Sequence, residues 1–223
     1  MKRKTLVAWS SGKDSAWALH TLQQDPGYDP VGLFCVVNEV SGRVAMHAVR
    51  TELLQRQARA VGLPLDILSI PDPCSNEAYE AVMTEYLAKA TDRGIECIAF
   101  GDLYLEDVRQ YREEKLSGTG IEPVFPVWGV PSAELSRAII DGGIKALITC
   151  VDSAQLPAGF VGDLYSEAFL RNIPEVVDPC GERGEFHSFV FDGPMFSEPV
   201  PVIPGAVVQR DGFVYMDLAA GPG

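Results

Sequence analysis

The chain is predicted to fold as an α/β protein, with a five-stranded parallel sheet sandwiched by helices and a smaller C-terminal α/β unit. Three observations predict this. Between Thr5 and Phe125, short apolar runs without alternation recur, as strands covered on both faces require. Segments with apolar residues at three- and four-residue spacing separate them. Gly, Pro, Asn and Asp punctuate the junctions. Strands and helices alternating in this way form right-handed βαβ units, and ligands bind such sheets beyond the carboxyl ends of the strands.

The first strand is Leu6-Val7-Ala8-Trp9. It stops at Ser10-Ser11-Gly12-Lys13-Asp14-Ser15, and helical periodicity follows through Trp17, Ala18, Leu19 and Leu22. A strand, a turn of small residues and a helix bring main-chain N–H groups and the positive end of a helix dipole to one point, which is an anion site. Gly12 allows close approach, Lys13 adds a cation, and Ser10, Ser11 and Ser15 offer hydroxyls. The glycine spacing of a Walker A loop is absent, and so is that of G-x-G-x-x-G. The hexapeptide resembles instead the PP-loop, SGGxDS, of the ATP pyrophosphatases, which cleave ATP between the α and β phosphates. Ser11 stands where that pattern has its second Gly, so φ at Ser11 is expected to be negative.

Asp25 to Pro30 is turn chemistry. Val31 to Val37 is the second strand, and Val37 and Asn38-Glu39 leave it at the ligand-binding edge. Asn38 to Val44 reads as a loop. His47 to Val61 is a helix stopped by Gly62, and Leu65 to Ile70 is the third strand. Asn76 caps a helix that ends at Gly94. Glu96 to Phe100 is the fourth strand, and Gly101-Asp102 leaves it at the same edge, so three segments converge on one nucleotide. Leu103 to Leu116 is a helix on which Arg109, Arg112 and Glu113 share a face. A solvated charged face satisfies that spacing, and so does a guanidinium pair aimed at a substrate carboxylate or phosphate. Ile121 to Phe125 is the fifth strand.

A second unit begins near Trp128, dividing the chain into residues 1–127 and 128–223. It contains a helix from Ser132, which caps it, to Asp141, a strand from Ile144 to Val151, a helix from Asp163 to Arg171 and a strand from Phe189 to Phe191. Short antiparallel strands follow between Val200 and Asp217, at an edge because Pro199, Pro201 and Pro204 cannot sit in a central ladder. Residues 178–188, DPCGERGEFHS, gather charges and glycines without periodicity. Glu182 and Glu185 flank Arg183, and Gly181 and Gly184 let the main chain turn tightly. Carboxylates so placed suit a cationic or amino substrate, or a Mg²⁺ shared with phosphates. His187 is a candidate acid or base, or a structural residue of the following strand. Cys180 is either a nucleophile or a small buried residue beside a turn.

The net charge of −13 disfavours a large nucleic-acid footprint, which needs clustered Lys and Arg. No apolar run is long enough to span a bilayer, and the run behind Met1-Lys2-Arg3-Lys4 is too short for a signal peptide, so a cytoplasmic chain is expected. Five cysteines without a CxxC pair fit reduced thiols, and three separated histidines form no zinc pattern.

SSGKDS, GDLYLEDVRQYRE, EPVFPVWG and DPCGERGEFHSFVFDGPMF together resemble the diphthine–ammonia ligase family and its bacterial relatives, along nearly the whole chain. The resemblance implies a HUP-type nucleotide-binding domain with a smaller substrate domain. It implies that ATP adenylates a carboxylate, pyrophosphate leaves and ammonia forms the amide. By position, Ser10, Gly12, Lys13, Asp14 and Ser15 are implied to hold the phosphates, with Gly101 and Asp102 beside the nucleotide. Glu182, Gly184 and Glu185 are implied to line the acceptor site. Arg183 replaces a Gly of the archaeal and eukaryotic CGEGGE pattern, and bacteria lack diphthamide. The acceptor is therefore expected to be a smaller or more anionic carboxylate.

The expectation is an amide-forming ligase that uses ATP and Mg²⁺, with Lys13, Asp14, Arg109, Arg112, Glu182 and Glu185 as its catalytic set and Asp14 as the metal ligand. Glu113, Arg183, Gly184 and His187 join Arg109 and the two Glu around the carboxylate-bearing acceptor and ammonia. A tRNA-modifying enzyme on the same loop and an ATP sensor without chemistry are the rival readings, and monomer and homodimer both stay open.

Overall fold

The computed structural model describes residues 1–44 and 49–222. The first half contains β1 (Arg3–Ala8), α1 (Lys13–Gln24), β2 (Tyr28–Asn38), β3 (Arg43–Val44), α2 (Thr51–Val61) and β4 (Leu65–Ile70). It continues through α3 (Asn76–Asp92), β5 (Cys97–Ala99), α4 (Glu106–Leu116) and β6 (Glu122–Val124). Five of these strands pair in parallel in the order β4-β2-β1-β5-β6. The two-residue β3 runs antiparallel to the end of β2, past the point where β1 stops. The chain winds outward to β4 on one side of β1 and to β6 on the other. The order therefore reverses between β1 and β5, where a doubly wound sheet opens a crevice at its carboxyl edge.

Alternation along each strand divides the core in two. Leu6, Phe34, Ile98 and Phe100 point to one face, where Tyr86 and Leu87 of α3 and Leu116 of α4 cover them. Val7, Trp9, Leu33, Cys35 and Ala99 point to the other, against Leu19 of α1 and Leu53 and Leu54 of α2. That second cluster continues without a break into the C-terminal half through Ile148, Phe186, Phe189 and Leu218.

The C-terminal half consists of α5 (Ser132–Asp141), β7 (Lys145–Asp152), α6 (Glu167–Asn172), β8 (Phe186–Asp192), β9 (Val202–Arg210) and β10 (Phe213–Ala220). Its sheet is antiparallel in the order β8-β7-β10-β9. Pro204 lies in the edge strand β9, opposite Leu218 at a register shift, as its missing N–H requires. The architecture is thus a HUP-type α/β sheet carrying a smaller antiparallel sheet unit.

Several boundaries differ from expectation. The segment 38–44 contains β3 rather than loop alone. The helix expected from His47 starts at Thr51, because Arg50 is extended at ψ 141; residues 45–48 lie outside the described residues. Ser75, not Asn76, caps α3, its hydroxyl accepting from the Ala78 N–H. Pro131, not Ser132, holds the N-cap position of α5, without a side-chain cap. The helix expected from Leu103 starts at Glu106, because Leu105 is extended at ψ 100. The helix expected from Asp163 starts at Glu167 behind the Ser166 cap.

Candidate active site

β1 ends at Ala8, and Ser10 to Gly12 turn the chain into α1. Here the structure overturns one expectation: Ser11 takes φ +73, the left-handed value that the PP-loop pattern reserves for glycine. Two donors fix it there. The Ser11 carbonyl accepts from the Val190 N–H of β8 at 3.0 Å and from Gln57 Nε2 of α2 at 3.1 Å. Within the loop, Ser10 Oγ receives the Gly12 N–H, and Ser15 Oγ donates to the Gly12 carbonyl. The end of β5 packs directly on this turn. A Cβ at Gly101 would lie 2.9 Å from Ser15 N and the Asp14 carbonyl carbon, so only glycine fits at that contact.

Lys13 is 2% exposed, although it begins a helix beside an open cavity. Its ammonium donates to both oxygens of Asp14, at 3.0 and 2.9 Å, and to the carbonyl of Cys180. The rings of Tyr165 and Phe186 lie 5.3 and 5.1 Å from it. Burial is the largest influence and works against this charge, but the surrounding acidic groups, Asp14 first, and the hydrogen bond to Asp14 together raise the Lys13 pKa, so the side chain is an ammonium at neutral pH. Its main-chain N–H donates to Ser188 Oγ at 3.2 Å, so Lys13 joins the Ser10–Ser15 turn to the C-terminal half at two points.

The acidic segment closes over this end. Gly181 and Gly184 take φ +69 and +84. Glu182 reaches across the junction to accept the Leu103 N–H at 2.8 Å. Burial pushes its carboxyl up to about 7; the Leu103 hydrogen bond opposes this and the nearby Asp14 and Asp102 charges add to it. Asp102 is likewise raised by burial, with Arg112 at 3.5 Å partly offsetting it.

These groups border one cavity of about 530 Å³. Ser10, Lys13, Asp14, Ser15, Asp102 and Glu182 form its polar end. An apolar arm runs between α3 and α4 along Phe34, Met83, Leu87, Ile98 and Phe100. Its rim is closed by Lys115, which pairs with Glu80 at 2.6 Å, and by Arg112, whose guanidinium lies 4.8 Å from the Phe100 ring.

Not every expected site residue reaches the cavity. Gly101, Arg112, Gly184 and His187 line it with those already named. Val36 lines it rather than Val37, which alternation turns into the core. Arg109 stacks on Phe125 and Trp128, 5.0 and 4.8 Å away, and pairs with Glu113 at 2.8 Å. Arg109 and Arg112 share a helix face only loosely, and the short β6 and Trp128 draw Arg109 away. Glu185 is 1% exposed and braces the acidic segment from inside, accepting the N–H groups of Asp178 and Arg183. Arg183 is exposed, with its guanidinium 6.0 Å from the Tyr104 ring. Cys180 is buried and its thiol is pushed up to about 12 by that burial, which suits a packed small residue and not a thiolate nucleophile.

Sequence reasoning missed Tyr79, Met83 and Lys115, which follow from the packing of α3 against α4 and carry no motif. It also missed Gln57. A lone amide among Leu53, Leu54 and Ala58 on the buried face of α2 is the signal that marks it.

A mixed α/β protein whose cavity opens at its strand-order reversal, between the turn after β1 and a set of convergent carboxylates, is a doubly wound fold with the cavity at the carboxyl edge of its sheet. Residues 3–122 match the diphthamide synthase N-terminal domain and residues 132–214 the diphthamide synthase C-terminal domain; the chain belongs to the diphthamide synthase family. It is 25% identical over 178 residues to the human diphthine–ammonia ligase, an alignment covering 77% of this chain and 66% of that protein, a little under two thirds of its length.

Proposed function

We propose that this protein is an ATP-dependent amide-forming ligase, in which residues 1–127 hold ATP and residues 128–223 help to present a carboxylate acceptor. The observation that carries the reading is the convergence of Ser10, Lys13, Asp14 and Ser15 with Asp102 and Glu182 on one cavity at the strand-order reversal, although Ser11 and Gly12 do not line it. The apolar arm suits a base and the polar end a triphosphate. A carboxylate oxygen of the acceptor attacks the α-phosphorus, giving an acyl adenylate and pyrophosphate. Ammonia then attacks the acyl carbon, giving the amide and AMP. Lys13 and the α1 N-terminus draw the charge that develops on pyrophosphate. Arg112 orients the acceptor carboxylate. Glu182, with a carboxyl near 7, takes the proton that the attacking ammonia loses.

Among the described residues no three His, Cys, Asp or Glu groups stand together as an ion cage. Asp14 and Asp102 on the cavity wall nevertheless suit Mg²⁺, which ordinarily binds through one or two carboxylates plus phosphate oxygens. When bound there, it would neutralise the triphosphate charge. All five cysteines are free, in keeping with a reducing compartment such as the cytoplasm. No helix among the described residues is long and apolar enough to cross a membrane.

The test is a screen of carboxylates with Mg·ATP and ammonium, following pyrophosphate and AMP. Release of both, dependent on acceptor and ammonium together, is expected. Release of ADP and phosphate, or ATP binding without turnover across the screen, overturns the reading.

A further inference from the structure

We infer that Gln57 is a positioning residue for the phosphate loop, holding Ser11 in its left-handed conformation and thereby setting the orientation of the Gly12–Ser15 turn. The inference rests on the reading of that turn as the triphosphate site. Gln57 is fully buried, in the middle of α2, and lies outside the cavity. Trp9 Nε1 can only donate, so the atom it meets at 2.8 Å is the Gln57 amide oxygen. The amide nitrogen then donates to the Ser11 carbonyl at 3.1 Å and to the Val190 carbonyl at 2.6 Å. The Val190 N–H returns to the Ser11 carbonyl at 3.0 Å. One side chain therefore ties the end of β1, the loop, and β8 of the C-terminal sheet.

The tie has work to perform. A non-glycine residue at φ +73 is disfavoured on its own, and such a conformation persists only where its surroundings over-determine it. Gln57 and Val190 are the donors that fix the Ser11 carbonyl. If the Gln57 bond is lost, Ser11 can rotate toward negative φ, and the peptide planes that follow it rotate too. If Ser11 is instead glycine, φ near +70 is intrinsically accessible and the tie is dispensable to the loop.

That contrast supplies the experiment. Full-length wild type, Gln57→Met, and the double variant Ser11→Gly with Gln57→Met are compared for Mg·ATP affinity by calorimetry and for Tm. Gln57→Met is expected to weaken ATP binding about tenfold, the weight of one residue strained in the left-handed region. The double variant is expected to recover most of that affinity. Its Tm is not expected to recover fully, since the Trp9 N–H and Val190 carbonyl remain without Gln57. Should Gln57→Met fail to fold, Gln57→Glu replaces it in both backgrounds. Neutral in that buried site, it keeps the acceptor for Trp9 and leaves one O–H donor where the amide has two, so a smaller loss of affinity with the same recovery by glycine is expected. Unchanged affinity in the folded single variant, or affinity and Tm falling together with no recovery by glycine, overturns the inference while the triphosphate reading stands. A wild type that binds no ATP overturns both.

Discussion

Two loops enclose the polar end of the cavity, and both turn through the left-handed region. In the acidic loop Gly181 and Gly184 do so, at φ +69 and +84; in the phosphate loop a serine does, at φ +73. Glycine adopts that conformation without steric cost, whereas another residue there costs about 1 kcal/mol or more. The left-handed turns of the acidic loop come from its own residues: its glycines turn it, and Glu185 braces the Asp178 and Arg183 N–H groups from within, while Lys13 and the Leu103 N–H tie the loop to its surroundings. The phosphate loop is shaped from outside, by Gln57 and Val190. A loop that carries its own shape tolerates changes in its surroundings. One held by its neighbours transmits them to the ligand.

The largest effect should come from removing the contact between the two. Lys13 spans them, pairing with Asp14 and donating to the Cys180 carbonyl. On the proposed mechanism Lys13→Met takes away the cation that draws charge onto pyrophosphate, so kcat/KM for ATP should fall by about 10² or more. It also strands a partly buried carboxylate and a buried carbonyl, so stability should fall by about 3 kcal/mol in chemical denaturation. If pyrophosphate release stays within about threefold of wild type, Lys13 is a structural tie alone.

Next in size is a change that attacks the self-shaped loop. A Cβ at Gly181 would lie 2.9 Å from both Phe186 Cε1 and the Phe186 carbonyl, at a positive φ. Gly181→Ala should destabilise by about 2–3 kcal/mol. Gly184 meets no atom within 4 Å at its Cβ, so Gly184→Ala should cost only the conformational term, about 1 kcal/mol. Equal losses in urea titrations of the two variants would mean that the acidic loop is less tightly built than its contacts indicate.

Glu182 gives a smaller effect with a definite pH dependence. Its carboxyl rises from 4.5 to about 7 on folding, chiefly through burial. The folded state thus prefers the protonated form. The stability this group contributes is complete below pH 4.5 and is lost as pH rises through 7. Glu182→Gln keeps an acceptor for the Leu103 N–H and removes the buried charge. At pH 8 the variant should be more stable than wild type by about 1–2 kcal/mol, with the gap closing toward pH 5. A gap independent of pH would place the effect in packing. The same substitution should abolish any rise in ligase rate near pH 7.

The contrast between the loops also explains what could be read from the chain. The order of strands and helices, and hence the parallel sheet, follows from apolar runs separated by turn residues, which are local signals. So does the turn that joins β1 to α1. The acidic segment is visible as a motif, yet its two Glu separate in space: Glu182 faces the cavity and Glu185 the interior. Without periodicity, sequence gives no face to either. Ser11 was expected at negative φ because propensity alone favours it. The donors that overrule propensity come from residues 46 and 179 positions along the chain, Gln57 and Val190. Arg109 and Arg112 matched a common helix face, but whether that face meets ligand or Trp128 is settled only by tertiary packing.

The smallest effect tests the contrast most directly. Ser11→Gly gives the phosphate loop the residue that the acidic loop already uses. It relieves the left-handed strain of about 1 kcal/mol. It also removes the Ser11 hydroxyl, which is buried and has no hydrogen-bond partner among the described residues, a feature that itself costs about 1 kcal/mol or more. Against these gains, glycine loses about 0.5–1 kcal/mol more backbone entropy on folding. The gains exceed the loss, so the variant should be more stable by about 1 kcal/mol, a rise of roughly 2–4 °C in Tm for a chain of this size. A fall in Tm would mean that Ser11 is not held under strain, and the distinction between a loop shaped from within and one shaped from outside would lose its physical basis.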